Sequence, residues 1–156
     1  MTDQISAALD RMTHGVQIIC VKTNKHMNGM TAAWVTQVSG KPPMVLIAVG
    51  KTHYTSKLIP EARCFSVNIL KDTQFDLAKK CGFGSGRNAD RLSGLDIIYR
   101  ETGAPIINDC AAYLDCQLVQ SFDMGDCVLF VGEVVAACDF GARALPYEIE
   151  RFFGKN

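Results

Sequence analysis

The stretch that decides the fold is residues 110–138, CAAYLDCQLVQSFDMGDCVLFVGEVVAAC. Within residues 110–120, apolar side chains alternate with other side chains, which is typical of a strand that buries one face. This alternation predicts that Asp115 lies on the polar face. Residues 123–126 supply a turn, and the apolar, β-branched run at 127–137 predicts a second long strand.

The rest of the chain predicts further strands and only short helices. Helices are predicted at residues 3–12, 55–62 and 72–81, and strands at residues 16–23, 29–38, 44–49, 64–70 and 95–99. The unbroken apolar run at 44–49 is expected to be buried on both faces. Turn signals recur at strand-length intervals and no βαβ repeat is present. We therefore expect residues 1–156 to form one domain, an antiparallel barrel with helices appended at its ends.

The composition excludes several classes of protein. Lys plus Arg and Asp plus Glu both number 16, so the formal net charge is zero, and apolar residues make up 48% of the 156 residues. A balanced charge argues against a general nucleic-acid binder, and the apolar content argues against disorder. No segment is long and apolar enough to predict a membrane span. The N-terminus lacks the features of a signal peptide, so a cytoplasmic location is expected.

The cysteines and histidines do not form a recognisable site in the sequence. The seven cysteines include no Cys-x-x-Cys pair, which argues against a disulfide framework and against structural zinc. We expect most of them to be buried free thiols. His14, His26 and His53 are far apart in the sequence, so no metal site is predicted. Hydrolase, P-loop and Rossmann motifs are also missing.

Three segments could bind a ligand. Small residues in Asn28–Trp34 would let a flat ligand approach the backbone, with Trp34 beside it; the alternative is a tightly packed strand with a core tryptophan. Lys51–Thr55 places a cation and hydroxyl groups before a short helix, which favours an anion site, although an ordinary capping segment fits as well. Ser85–Asn88 adds a second cation, Arg87, in what is otherwise a solvated loop.

The order of these motifs resembles the flavin reductase-like family, whose fold is the FMN-binding split barrel. Within that family the chain is most similar to the flavoredoxin and ferric-reductase type and to the flavin domain of high-molecular-weight rubredoxins. The segments that carry the resemblance follow one another in the chain as Gly15-Val16, Asn28–Trp34, Gln37–Ser39 with Pro42-Pro43, Lys51–Thr55, Phe65–Leu70, Phe83–Arg87, Gly125-Asp126 and Phe130–Val134.

The resemblance implies a mainly β, antiparallel, Greek-key type split barrel and a homodimer with one FMN per subunit near the dimer interface. It also implies a set of cofactor-binding residues that includes Asn28. The isoalloxazine and ribityl chain are lined by backbone groups of Met30, Thr31, Ala32, Ala33 and Trp34, with Ser39 near the ring and Asn68 at the polar edge of the flavin. The phosphate is held by Lys51, Thr52 and Thr55, and a loop with Phe83, Ser85 and Arg87 closes over the phosphate or ring.

The expected function is an oxidoreductase that passes electrons from NAD(P)H through bound FMN to a soluble acceptor, which is free flavin, a ferric complex or a partner protein. Family members often carry His after the Gly-Asp of the last turn, where this chain has Cys127. Cys127 and His53 are the candidates for a supporting catalytic role. Two alternatives stay open: an FMN electron carrier that does not itself oxidise NAD(P)H, and a barrel that binds a ligand without any cofactor.

Overall fold

The computed structural model describes residues 2–87 and 90–154. It contains four short helices and nine strands within these ranges. The helices are α1 Asp3–Leu9, α2 Thr55–Ala62, α3 Phe75–Gly82 and α4 Ile149–Phe153. The strands are β1 Gln17–Lys22, β2 Met27–Ala32, β3 Val35–Gly40, β4 Pro43–Gly50, β5 Cys64–Ile69, β6 Ile97–Ile98, β7 Ile106–Ile107, β8 Ala112–Met124 and β9 Cys127–Asp139.

Seven of the strands form one antiparallel sheet in the order β2-β1-β5-β8-β9-β4-β3. The sheet curls around a single main core, to which β1, β2, β4, β5, β8 and β9 all contribute buried side chains. Helix α2 covers one opening of this core with Leu58 and Ile59. The predicted mainly β, antiparallel fold with short helices is confirmed.

The hairpin of β8 and β9 is the longest element, with 13 residues in each strand. Gly125 has φ +57°, which suits the first central position of a tight two-residue hairpin turn. Opposite Asp115 and Cys116, strand β9 has an extra residue, Val135, which forms a β-bulge. Asp115 lies on the face opposite Cys116, as the alternation predicts, but this face is not left to solvent: Asp115 is fully buried and accepts hydrogen bonds from the Thr102 amide and hydroxyl.

The predicted strand at 29–38 is in fact two strands. The chain leaves the sheet at Ala33 and Trp34, and β3 then pairs with β4 at the opposite end of the sheet from β2. The run at 44–49 lies inside β4, where burial alternates along the strand. Its predicted burial on both faces is therefore not seen in the single chain. The two-residue strand β7, which pairs with β6, was not predicted.

The C-terminal segment is tied back onto the sheet. Leu145 is buried in a second core beneath α3, its carbonyl accepts from the Val16 amide at 2.9 Å, and its amide donates to Leu70. The next residues lead into α4.

In the described ranges, none of the four helices has the length and apolar content needed to cross a membrane.

Candidate functional site

A cavity of about 570 Å³ lies where the chain passes from β2 to β3. Its walls are the end of β2, the end of β4 with the turn that precedes α2, the loop after α3, the β8–β9 turn and the C-terminal segment. It brings together nine of the residues named from the sequence, which are Met30, Thr31, Ala32, Ala33, Trp34, Thr52, His53, Phe83 and Cys127. Residues far apart in the sequence thus meet at one place, as the order of motifs implied.

A small second pocket of about 70 Å³ adjoins this cavity and shares Met30, Thr52 and His53 with it. Its own walls include three further predicted residues, Asn28, Thr55 and Ser85. Helix α2 begins here and has no side-chain cap at its N-terminus. The partial positive charge of a helix N-terminus favours an anionic group at this position.

The small pocket contains a buried polar atom that the protein leaves unsatisfied. Asn28 is 1% exposed, and its amide nitrogen donates to the Thr55 hydroxyl at 3.0 Å. Its Oδ1 has no hydrogen-bond partner among the described residues. A Cβ atom on Gly86 would lie 1.9 Å from that oxygen, so glycine is required for the loop to approach this closely. A buried amide with an unused atom indicates a place for a ligand or a water molecule.

Arg91 forms the wall of the small pocket and was not found by sequence reasoning. The side chain is 7% exposed, and its guanidinium donates to the carbonyls of Cys81 at 2.9 Å, Phe83 at 3.2 Å, Gly29 at 3.3 Å and Gly84. It thus ties the loop after α3 to β2 and puts a positive charge beside the pocket. A single arginine in a polar loop gives no sequence signal for such a role.

Two predicted cations lie elsewhere on the surface. Lys51 is exposed and forms an ion pair with Asp123 on the β8–β9 hairpin. The guanidinium of Arg87 lies 5.2 Å from the centre of the Tyr54 ring. Neither side chain forms a wall of the two pockets. Their contact with a phosphate therefore stays a prediction, and each side chain would have to adopt another rotamer to make that contact.

Ser39 and Asn68 are not at the cavity in the single chain. Ser39 lies on β3 opposite Met44, at the edge of the sheet. Asn68 is fully buried and donates to the Ile18 carbonyl at 3.0 Å, while its oxygen accepts from the Ile107 amide at 2.8 Å. Because both ends of the Asn68 amide bind the protein itself, the predicted ligand contact of Asn68 is replaced by a structural role.

Cys127 lies on the cavity wall directly after the β8–β9 turn. Partial burial raises the pKa of its thiol, and the hydrogen bond to Asp126 together with the charge of that carboxylate raises the pKa further. The group is therefore a thiol, not a thiolate, at neutral pH. Among the described residues, no three His, Cys, Asp or Glu side chains form a group that could hold a metal ion.

The C-terminal segment contributes three aromatic residues to the cavity, Tyr147, Phe152 and Phe153. None of these three residues was among those named from the sequence. Their place at the site depends on the return of the tail across β1 and β5, which no local pattern reveals.

Comparison with known proteins matches this fold and site to one family. The pattern of the family described as "Flavin reductase like domain" matches residues 9–149. The chain is 32% identical over 132 residues to the high molecular weight rubredoxin of Moorella thermoacetica, which covers 83% of this chain. The chain spans only 58% of the length of that relative.

Two solved structures have the same fold. The NADH:FAD oxidoreductase of Streptomyces globisporus, in complex with NAD and FAD fragments, superposes with a TM-score of 0.81 and 31% identity, covering 90% of this chain and 83% of that one. Flavoredoxin from Methanosarcina acetivorans gives a TM-score of 0.82 at 27% identity, covering 89% of this chain and 82% of that one. Since the family pattern spans nearly the whole sequence, the chain belongs to the flavin reductase-like domain family.

Proposed function

We propose that this chain binds FMN in the cavity and the small pocket, and that it is a flavin-dependent oxidoreductase that takes electrons from NAD(P)H and passes them to a soluble acceptor. The observation that carries the proposal is the pairing of the two spaces. A larger, mostly apolar cavity adjoins a small pocket at a helix N-terminus, which suits a molecule with a flat ring at one end and a phosphate at the other.

The residues of the larger cavity suit a flat aromatic ring. Ala32 and Ala33 leave the backbone open at the point where the chain leaves the sheet, so a ring can approach main-chain groups. Trp34 is 58% exposed and offers an aromatic face beside them. The alternative of a core tryptophan is excluded by this exposure.

The residues of the small pocket suit a phosphate. The N-terminus of α2, the hydroxyls of Thr52, Thr55 and Ser85, and the buried charge of Arg91 all border it. Hydroxyl groups donate to phosphate oxygens, and a positive charge in a partly buried place attracts an anion more strongly than one in water does. Asn28 also lines this pocket, and rotation of its amide by 180° would replace the unpaired oxygen with a donor nitrogen.

The redox chemistry would come from the cofactor, since a flavin, when bound, would supply the capacity to take up a hydride and pass on electrons that the side chains lack. The protein holds the ring and the phosphate, limits the access of water and leaves the open side of the cavity to donor and acceptor. Cys127 and His53 lie on the wall and are proposed to orient these molecules. It is part of this proposal that the bound flavin is FMN and not FAD, and that the electron donor is NADH or NADPH.

The proposal is tested by titration with FMN followed by reduction without oxygen. We expect FMN to quench the emission of Trp34, the single tryptophan of the chain, because the cavity places that indole beside the bound ring. NADH or NADPH should then bleach the flavin absorbance. Bleaching with neither would support the electron-carrier alternative. Failure to bind FMN would overturn both and leave the cofactor-free barrel.

Lys51 provides a second test, which concerns the phosphate alone. If Lys51 leaves Asp123 for the phosphate when FMN binds, Lys51→Ala should weaken FMN binding by about 10- to 100-fold, the loss of one charge-assisted hydrogen bond. Binding of riboflavin, which has the ring but no phosphate, should not change. Equal affinity of variant and wild type for FMN would show that the small pocket holds the phosphate without Lys51.

We also propose that the chain forms a homodimer. Ile5, Leu9 and Met12 on and after α1 are each at least half exposed. Leu9 and Met12 border a groove with Leu46 of β4. A second copy would cover these apolar side chains. Sedimentation velocity distinguishes a dimer from a 17.1 kDa monomer. The cytoplasmic location expected from the sequence stays a prediction.

A further inference from the structure

The last residues of the described chain reach the cavity, although the family pattern does not extend to them. The pattern ends at residue 149, whereas Phe152 and Phe153 line the cavity wall. Two aromatic residues in a five-residue helix also need a physical reason to remain in place.

The backbone of this segment is held by Tyr147 and Phe152. The amide of Tyr147 donates to the His14 carbonyl at 2.8 Å. Phe152 packs edge-on against Phe75 of α3, with ring centres 4.8 Å apart, and lies 5.4 Å from the Tyr147 ring. The guanidinium of Arg151 lies 4.2 Å from the centre of the Phe75 ring. Helix α4 is thus fixed by its other side chains, and Phe153 is not needed to anchor it.

Phe153 itself is left mostly in solvent at the mouth of the cavity. It is 66% exposed, and its ring centre lies 5.9 Å from that of Phe83, which is 49% exposed. Phe83 is held from the other side by the bond between its carbonyl and Arg91. Single exposed apolar residues are common, but two phenylalanines and Trp34 around one cavity form a patch that a ligand would cover.

We propose that Phe153, together with Phe83, forms an aromatic clamp at the mouth of the cavity that retains and positions the ring of the bound flavin. The proposal rests on the proposed function, since it needs a flavin in this cavity. Phe153 acts as a positioning residue: it adds contact area to the ring and keeps water from one side of it. The clamp sets how long a flavin stays bound, and hence whether the flavin behaves as a resident cofactor or as an exchanging substrate.

The test compares Phe153→Ala with Phe153→Tyr, measuring equilibrium binding and dissociation rates of FMN and riboflavin by flavin fluorescence. An aromatic contact of ordinary strength predicts about three- to tenfold weaker binding for Phe153→Ala, most of it as faster release. The loss should be the same for FMN and riboflavin, because the clamp contacts the ring and not the phosphate. Phe153→Tyr keeps the ring and should bind like wild type.

Phe140→Ala is the matched control, because Phe140 is also a largely exposed phenylalanine but lies after β9 beside Tyr113. It should leave both affinities unchanged. Wild-type affinity in Phe153→Ala, or a loss confined to FMN, would overturn the clamp while leaving the proposed function intact. If wild type binds neither FMN nor riboflavin, the proposed function itself fails and the clamp fails with it.

Discussion

Arg91→Ala is expected to lower the free energy of unfolding by about 2–4 kcal/mol and to weaken FMN binding at least tenfold. The guanidinium is buried and binds four main-chain carbonyls, from β2, from the C-terminal end of α3 and from the loop that follows α3. Without it, these carbonyls lose their donors and the loop that carries Phe83 is released. The same change removes the positive charge beside the small pocket.

Urea denaturation and FMN titration measure the two effects. Arg91→Lys should recover little stability, because one ammonium group cannot replace a planar fork that reaches several carbonyls. Arg143→Ala, at an exposed arginine, is the control and should change stability by less than about 0.5 kcal/mol. A stable Arg91→Ala variant with wild-type FMN affinity would show that the loop does not depend on this side chain.

Asn68→Ala is expected to lower the free energy of unfolding by about 2–4 kcal/mol without changing the FMN affinity of the folded protein. Its amide joins β1, β5 and β7 by binding the carbonyl of Ile18, the hydroxyl of Ser66 and the amide of Ile107. Alanine leaves these buried groups unsatisfied at a cost of about 1–3 kcal/mol each, part of which relaxation recovers.

The control for this change is Asn108→Ala, since the Asn108 amide donates to the Asp96 carboxylate near the surface and its loss should cost little. Denaturation curves give the stability of both variants. The result that would refute the structural role of Asn68 is a loss of FMN binding with unchanged stability, because it would place this side chain at the flavin as the family resemblance implies.

The elements of the fold followed from local pattern to a large extent. The alternation of β8, the apolar run of β9 and the helix over residues 55–62 were all evident in the sequence, because each depends on residues near one another. The break at Ala33 and Trp34 was not evident, since the residues on both sides favour strands. Only the pairing of β3 with β4 ends the first strand there. The burial of Asp115 likewise depends on a distant residue, Thr102, which lies outside β8 and donates two hydrogen bonds to its carboxylate.

The residues of the candidate site also differ in whether local sequence indicates them. Met30–Trp34 and Thr52 could be named because small residues let a ligand approach the backbone and hydroxyls before a predicted helix favour an anion site. Arg91 and Phe153 reach the site only through the course of the loop after α3 and of the C-terminal segment. Asn68 was given a ligand contact because its sequence context matched a motif, whereas its buried position assigns it to the core.

The two-residue connection at Ala33 and Trp34 has a consequence for how the protein opens. It joins β2 and β3, which are the two outermost strands of the sheet, and the cavity lies beside this connection. A ligand bound there contacts the edge strand β2 and also β4, the neighbour of the other edge strand. By thermodynamic linkage, ligand binding and local unfolding of β2 or of β4 oppose each other. Amide hydrogen exchange at the two ends of the sheet should therefore slow together when the ligand binds, although the strands share no hydrogen bond.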